Sequence, residues 1–240
     1  MNSLCIIIPC YNEARRFDRE IFKKYYHNSR IHFYFVNDGS SDDTLQMLEA
    51  IQKDKERIRV VHLEKNVGKA EAVRLGVLKA YKTEQFEYIG FWDADFATPL
   101  TEIDKMTEVI RPGFQIIAGS RIKRLGARIE RSAFRHYFGR IFSTVVTKLF
   151  QLPIYDTQCG AKLFHQSSIP VLFDESFHDK WMFDLELFIR YRNHRGTRSL
   201  VNDCYEYPLS SWKEVGGSKL RSTDFFKVPF QIVRLFLHYR

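Results

Sequence analysis

Two aspartates one residue apart form the clearest chemical pattern in the chain. Asp93-Ala94-Asp95 directly follows the apolar run Tyr88–Trp92. Carboxylates at the end of a buried strand can supply oxygen ligands to Mg²⁺ or Mn²⁺, and such an ion can also bridge two phosphate groups of a bound molecule. The competing interpretation is a helix cap, because a helix is predicted to begin at Thr101. We predict a metal site at Asp93 and Asp95, with Ala94 in the same segment.

Two other clusters have residue types suited to ligand binding. Asp38-Gly39-Ser40 predicts a sharp turn that directs Asp38 toward a ligand, while Asp42 or Asp43 caps the next helix. Gly68-Lys69 begins a predicted helix, where free backbone N–H groups and a cation favour phosphate. The G-x-G-x-x-G pattern is absent, which disfavours a nicotinamide-dependent dehydrogenase.

Short apolar runs alternate with helical patterns through the first half of the chain. The predicted strands are Leu4–Pro9, His32–Asn37, Ile58–Leu63, Tyr88–Trp92 and Gln115–Ala118. The predicted helices are Asp18–Tyr26, Asp42–Lys53, Lys69–Lys82 and Thr101–Ile110. This alternation predicts an α/β fold, with a mostly parallel sheet flanked by helices on both faces, in a single domain that spans residues 1–240.

Polar clusters follow the predicted strands at five points. They are Tyr11-Asn12-Glu13, Asp38-Gly39-Ser40, Asn66-Val67-Gly68-Lys69, Asp93-Ala94-Asp95 and Ser120-Arg121. Turn residues are common after strands, so a single cluster would carry little weight. Because ligands of such sheets bind beyond the carboxyl ends of the strands, the five together predict one site along a shared edge.

The second half of the chain contains two amphipathic patterns. Apolar residues recur at helical spacing from Phe134 to Phe150, and Thr223–Tyr239 combines many large apolar residues with basic ones. Both segments could pack in the core, or lie in a membrane interface as basic amphipathic helices do. No run of about 18 uncharged apolar residues occurs, so the membrane contact that we expect is peripheral.

Charge and cysteine content narrow the choice of partner and compartment. The chain has 37 Lys and Arg against 29 Asp and Glu, a net charge of +8 at pH 7, which favours an anionic partner. The acidic residues Asp38, Asp93 and Asp95 oppose a polyanion at the predicted site, so we expect no nucleic-acid partner. The four cysteines form no C-x-x-C pair, which fits a reduced, cytoplasmic setting.

Six motifs follow one another along the chain: Pro9-Cys10-Tyr11-Asn12-Glu13, Asn37-Asp38-Gly39-Ser40, Asn66-Val67-Gly68-Lys69, Asp93-Ala94-Asp95, Gly119-Ser120-Arg121 and Asp156-Thr157-Gln158-Cys159-Gly160. In order and spacing they resemble family 2 glycosyltransferases with a GT-A fold. The later segments Trp181–Leu187 and Gly217–Leu220 look most like the dolichyl-phosphate β-glucosyltransferase and dolichol-phosphate mannose synthase branch. Phe96-Ala97-Thr98 is nearer the glucosyl enzymes.

The resemblance implies a nucleotide-sugar-binding half over residues 1–121 and an acceptor-binding half over residues 122–240. In similar enzymes the nucleobase and ribose are held by residues that match Pro9, Tyr11, Asn12, Glu13 and Asp38. Gly68 and Lys69 would lie beside the donor. Mg²⁺ or Mn²⁺ at Asp93 and Asp95 would offset the charge that builds on the departing diphosphate.

Arg121, Arg131 and Asp184 are the residues expected to act on the acceptor. A lipid phosphate favours bidentate donors that stay charged, which points to Arg121 and Arg131. A phosphate needs no general base, whereas a sugar hydroxyl does, and Asp184 is the candidate for that role. Ser218 and Lys219 would close over the donor phosphates.

We therefore expect an inverting, metal-dependent transfer of a hexose, glucose from UDP-glucose, to a polyprenyl-phosphate lipid at the cytoplasmic face of a membrane. The catalytic residues would be Asp95, Asp184, Arg121 and Arg131. One alternative keeps the enzyme class but replaces the acceptor with a glycan hydroxyl that Asp184 deprotonates. Another is a nucleotide-binding protein without catalysis.

Overall fold

The computed structural model describes residues 3–53, 55–215 and 228–240. Its strands are β1 (Leu4–Cys10), β2 (His32–Asp38), β3 (Ile58–Leu63), β4 (Tyr88–Trp92), β5 (Ile116–Ser120), β6 (Arg128–Glu130), β7 (Ala161–His165), β8 (Cys204–Pro208) and β9 (Ser211–Lys213). Seven of them form one sheet in the order β3-β2-β1-β4-β7-β5-β8, while β6 and β9 pair separately in parallel. The α/β architecture predicted from the sequence is confirmed.

Helices cover both faces of this sheet. They are α1 (Arg19–Asn28), α2 (Thr44–Gln52), α3 (Lys69–Thr83), α4 (Thr101–Glu108), α5 (Ala133–Phe150), α6 (Ile169–Phe173), α7 (Phe183–Asp203) and α8 (Val228–Tyr239). Asp18 caps α1 by accepting a hydrogen bond from the backbone of Ile21. Gly196, with a φ of 85°, interrupts the helical backbone of α7. In the part of the chain that the model describes, no helix is both long and apolar enough to cross a membrane.

The sheet is parallel except at β7, which runs antiparallel to its neighbours β4 and β5. Its strands alternate between two apolar clusters, because successive side chains of a strand point to opposite faces. Cys5 and Ile7 of β1 join the cluster under α3, α5, α6, α7 and α8. Ile6 and Ile8 join the cluster under α1, α2 and α4. Two buried faces explain why β1 reads as an unbroken apolar run.

Several element boundaries differ from those predicted. The fifth predicted strand, Gln115–Ala118, is shifted to Ile116–Ser120, and β7 and β8 were not predicted because Lys162 and Glu206 interrupt their apolar patterns. The second amphipathic helix was predicted to begin at Thr223. The described helix begins at Val228, and residues 223–227 lie outside the described residues.

Candidate active site

A cavity of about 580 Å³ opens beyond the carboxyl ends of the parallel strands. All five polar clusters predicted to share an edge contribute to its wall, through Tyr11, Asp38, Gly68, Asp93 and Arg121 among others. The rest of the wall comes from α5, the segment 155–160, the start of α7 and β9. The parallel arrangement therefore brings together residues that lie more than 100 positions apart in the chain.

Asp93 and Asp95 lie side by side in this wall, as predicted. The Asp93 N–H donates to the carbonyl of Gly160 at 3.0 Å. Lys69 Nζ lies 2.5 Å from Asp93 Oδ1. Asp95 Oδ1 accepts from the Ala97 N–H at 3.1 Å, and its Oδ2 is 3.6 Å from the guanidinium of Arg16. Both carboxylates are partly exposed to the cavity, 36% for Asp93 and 27% for Asp95.

The donor set at these two aspartates fits a hard divalent cation. Mg²⁺ is commonly held by one or two carboxylates together with substrate phosphates and water. Burial and the neighbouring Asp93 charge raise the pKa of Asp95, so a bound cation would relieve this repulsion. Among the described residues no group of three or more His, Cys, Asp or Glu side chains could hold a metal. The remaining ligands would therefore come from a bound substrate and water.

Asp38, at the end of β2, holds the loop that follows β3 through hydrogen bonds. Its Oδ1 accepts from the Val67 N–H at 2.7 Å, and its Oδ2 accepts from the Gly68 N–H at 3.0 Å and from Asn66 Nδ2 at 3.1 Å. The side chain is buried at the cavity wall. Asp38 thereby sets the backbone that leads into α3, in addition to the ligand contact predicted for it.

Some, but not all, residues at the end of β1 and in the segment after it line the cavity. Pro9, Tyr11 and Glu13 line the cavity, and Tyr11 is 36% exposed, so its ring is accessible for stacking. Asn12, which was predicted to bind the donor, does not line the cavity. Its Oδ1 accepts from the Ser41 N–H at 2.9 Å and so ties this segment to the loop after β2.

Arg121, which was predicted to hold the acceptor phosphate, lines the cavity and is paired with Asp156. Its Nε and Nη2 atoms donate to Oδ2 and Oδ1 of Asp156 at 2.7 and 2.8 Å, and Nη2 also donates to the Gln158 carbonyl at 2.9 Å. Burial would raise the pKa of Asp156, but the Arg121 guanidinium lowers it to about 2. Because Asp156 already neutralises Arg121, this side chain braces the 155–160 segment instead of presenting a free cation to an acceptor.

Three other cations, of which Lys180 lies beside Gly68, line the cavity. Arg131 lines it as predicted, and its guanidinium packs where a side chain at Gly139 would lie, with Nη2 2.8 Å from a Cβ built there. Arg140, which lies over the Tyr155 ring at 4.0 Å, and Lys180 also line the cavity. Sequence reasoning missed both, because neither follows a strand or belongs to a recognised motif.

Asp184 lies on the cavity wall at the first turn of α7, paired with a buried lysine. Lys162 Nζ donates to Asp184 Oδ1 and, at 2.6 Å, to the Cys159 carbonyl. Burial raises the pKa of Asp184, while Lys162 and Lys69 partly offset this effect. Lys162 itself is fully buried. The sequence offered one signal for this pair: Lys162 is a charged residue in a mostly apolar strand, directly after Gly160 and Ala161.

A second carboxylate, which is half-buried, supports the 155–160 segment. Glu206 of β8 accepts the backbone N–H groups of Tyr155 and Asp156 at 2.9 and 2.7 Å. Its position in a short strand gave no sequence signal for this role. The predicted donor-closing residues Ser218 and Lys219 lie outside the described residues.

Comparison with known proteins places this site in a family. Residues 5–173 match the model of Glycosyl transferase family 2. The dolichyl-phosphate beta-glucosyltransferase of Saccharomyces cerevisiae is 30% identical, covering 98% of this chain and 75% of its own length. That of Drosophila melanogaster is 32% identical, covering 90% of this chain and 69% of its own length.

A solved structure shares the fold. Glucosyl-3-phosphoglycerate synthase from Mycobacterium tuberculosis, in complex with Mn²⁺, uridine diphosphate and glucosyl-3-phosphoglycerate, superposes with a TM-score of 0.70. The match covers 99% of this chain and 80% of that one at 14% sequence identity, which bears on the fold alone. The GT-A fold expected from the sequence is confirmed. The chain belongs to glycosyl transferase family 2, on the branch of the dolichyl-phosphate beta-glucosyltransferases, and it is a glycosyltransferase.

Proposed function

We propose that this protein transfers glucose from UDP-glucose to the phosphate of a polyprenyl lipid, with a divalent cation and with inversion at the anomeric carbon. One observation carries the proposal. A single cavity is lined by a pair of carboxylates, Asp93 and Asp95, and by the cations Arg131, Arg140 and Lys180. The carboxylates suit a metal-bound diphosphate and the cations suit a second, phosphorylated substrate.

The donor side supports a nucleoside diphosphate sugar. The N-terminus of α3 begins at Lys69 in the cavity wall, and helix N-termini favour phosphate. The fold relative from Mycobacterium tuberculosis has been solved with UDP-glucose and Mn²⁺, and with UDP and Mg²⁺. Either cation at Asp93 and Asp95 would act as a Lewis acid toward the leaving diphosphate. Tyr11 would stack on the base and Glu13 would accept from it or from the ribose.

The acceptor side supports a lipid phosphate. One face of α5 lines the cavity through Arg140, Phe142 and Ser143, while Tyr137 and Ile141 on the same helix are 68% and 66% exposed. A phosphate held by the cations would thus have an apolar surface beside it for its chain. The names of the relatives, dolichyl-phosphate beta-glucosyltransferases, agree with such an acceptor. We propose peripheral contact with a membrane through this surface and through the exposed apolar residues of α8, Phe230, Val233 and Leu237.

The geometry suits a direct displacement. A phosphate oxygen of the lipid attacks the anomeric carbon and forms the new C–O bond, while the bond to the diphosphate breaks on the opposite face. The electron pair of that bond leaves with the diphosphate. Arg131, Arg140 and Lys180 hold the attacking phosphate, which is already anionic, so Asp184 need not accept a proton. Asp184, held by Lys162, would orient the donor sugar instead.

The test is a donor screen followed by product analysis. UDP- and GDP-sugars are compared by thermal shift with Mn²⁺, since a ligand of the folded state raises the melting temperature. A short polyprenyl phosphate is then supplied with the best donor, and the matching polyprenol without phosphate serves as control. We expect stabilisation by UDP-glucose and a β-linked product only with the phosphate. A product with the alcohol or with a glycan would contradict the proposed acceptor.

The Asp184→Asn variant separates the two acceptor classes. With a phosphate acceptor, kcat should fall modestly and its pH profile should keep its shape. With a hydroxyl acceptor, loss of the base should lower kcat by about 10²–10⁴-fold. A loss of that size, in a variant whose melting temperature stays within a few degrees of the parent, would favour the glycan acceptor.

A further inference from the structure

Lys69 holds the position next to Asp93 that a metal ion would need. Its Nζ is 2.5 Å from Asp93 Oδ1, within hydrogen-bonding distance. The ammonium group also lies 5.8 Å from the centre of the Phe91 ring and 5.7 Å from that of Phe183, both within the range of cation–π attraction. Lys69 is therefore held by a carboxylate and two aromatic rings, not merely extended into solvent.

This contact competes with a divalent cation for the same oxygen. A metal bound to Asp93 would stand beside the ammonium group, and two cations at such a distance repel each other. Both side chains are partly exposed in the cavity, 40% for Lys69 and 36% for Asp93, so a metal ion can reach the same carboxylate. Metal binding and the observed Lys69 contact are thus alternatives.

The position of Lys69 indicates which group its ammonium can contact once a metal binds Asp93. It is the first residue of α3, directly after Gly68, whose N–H is held by Asp38. A diphosphate bound at this helix N-terminus would lie beside the same side chain. The diphosphate of the donor can therefore form an ion pair with the Lys69 ammonium after the metal has displaced it from Asp93.

We propose that Lys69 is a built-in counter-ion that keeps metal affinity low until the nucleotide arrives, so that metal and donor bind cooperatively. The inference rests on the proposed use of a nucleoside diphosphate donor. Without nucleotide, Lys69 neutralises Asp93 and opposes the metal. With nucleotide, Lys69 contacts the diphosphate and both aspartates become available to the metal. By linkage, each ligand then raises the affinity for the other by the same factor.

The experiment titrates Mn²⁺ into the full-length protein and follows free Mn²⁺ by electron paramagnetic resonance, with and without UDP. In Lys69→Met, Mn²⁺ affinity without nucleotide should rise by about tenfold, since a nearby like charge is removed. The factor by which UDP improves Mn²⁺ binding should fall. Lys69→Arg, which keeps the charge, should resemble the parent. Thermal unfolding confirms that each variant is folded.

Lys79→Met is the matched control, because Lys79 is an exposed residue of the same helix that does not line the cavity and loses the same charge. It should change Mn²⁺ affinity by less than about twofold, since salt screens charges that are not in contact. Equal effects of Lys69→Met and Lys79→Met, or an unchanged or weaker Mn²⁺ affinity in Lys69→Met, would overturn the proposal. No lipid or sugar is used, so failure of the proposed transfer reaction would leave the Mn²⁺-only comparison intact.

Discussion

The carboxylate of Asp93 fills the space that a side chain at Gly160 would need. A Cβ built on Gly160 would lie 1.9 Å from Asp93 Oδ2, closer than any contact between unbonded atoms allows. The Gly160 carbonyl also accepts the Asp93 N–H at 3.0 Å. The Asp156–Gly160 motif is thus built against the Asp93–Asp95 motif, although 67 positions separate Asp93 from Gly160.

Gly160→Ala should disturb Asp93 specifically. The added methyl group must push the carboxylate aside, at a cost of about 1–3 kcal/mol in the free energy of unfolding. Stabilisation by UDP with Mn²⁺ should be lost as well. In a double-mutant cycle measured by urea unfolding, the cost should shrink when Asp93 is first replaced by Ala. A cost that is equal in both backgrounds would mean that Asp93 is not the obstacle.

Arg121→Met should affect stability more than acceptor binding. Removal of the guanidinium leaves Asp156 charged and buried, which costs about 3–5 kcal/mol for a buried pair. Urea unfolding measures this loss. Lys123→Met, at an exposed position nearby, should change stability by less than about 0.5 kcal/mol. If Arg121 acted only on the acceptor, its loss would raise the acceptor KM and leave the unfolding free energy unchanged.

The same pair predicts a loss of stability in acid. The pKa of Asp156 is lowered from 3.8 to about 2 in the folded state, so the folded state binds fewer protons than the unfolded state in this window. The stabilisation is therefore complete above about pH 4 and disappears as the pH falls through about 2, a change of about 2 kcal/mol. The difference in unfolding free energy between the parent and Asp156→Asn should narrow over that range. A constant difference would contradict the lowered pKa.

Lys162→Met should destabilise the protein through Asp184. The variant leaves a buried carboxylate without its cation, and we expect a loss of about 3–5 kcal/mol. Thermal or urea unfolding gives the value. The double variant Lys162→Met/Asp184→Leu should recover much of it, because an apolar pair of similar volume needs no counter-charge. A double variant as unstable as the single one would show that Lys162 matters for its packing alone.

The exposed apolar face of α8 should matter for membrane contact and not for folding. Phe230, Val233 and Leu237 are 79%, 54% and 65% exposed and recur at helical spacing. Replacing all three by Ser should weaken binding to anionic vesicles by about tenfold or more, since each would bury apolar area in the interface. Val201→Ser, at a 57% exposed position on α7, is the control in the same co-sedimentation assay. Equal binding by both variants would exclude α8 as the contact.

Local sequence patterns were sufficient to predict the first half of the fold. The unbroken apolar runs of β1 and β4 and the helices between strands were recognised because their periodicity is a local property. β7 and β8 escaped recognition because their charged residues, Lys162 and Glu206, break that pattern. In the fold Lys162 is buried against Asp184, and the half-buried Glu206 accepts hydrogen bonds from the backbone of the 155–160 segment.

The sequence by itself determined the α/β class, the family and the edge of the sheet at which the polar clusters meet, because apolar periodicity and turn chemistry are local properties. Only the tertiary structure decided how the charges are paired. Arg121, which was expected to hold the acceptor phosphate, is paired with Asp156, and Lys69 is paired with Asp93. Pairing depends on which distant segments come within about 4 Å, and a strand pattern carries no information on that distance.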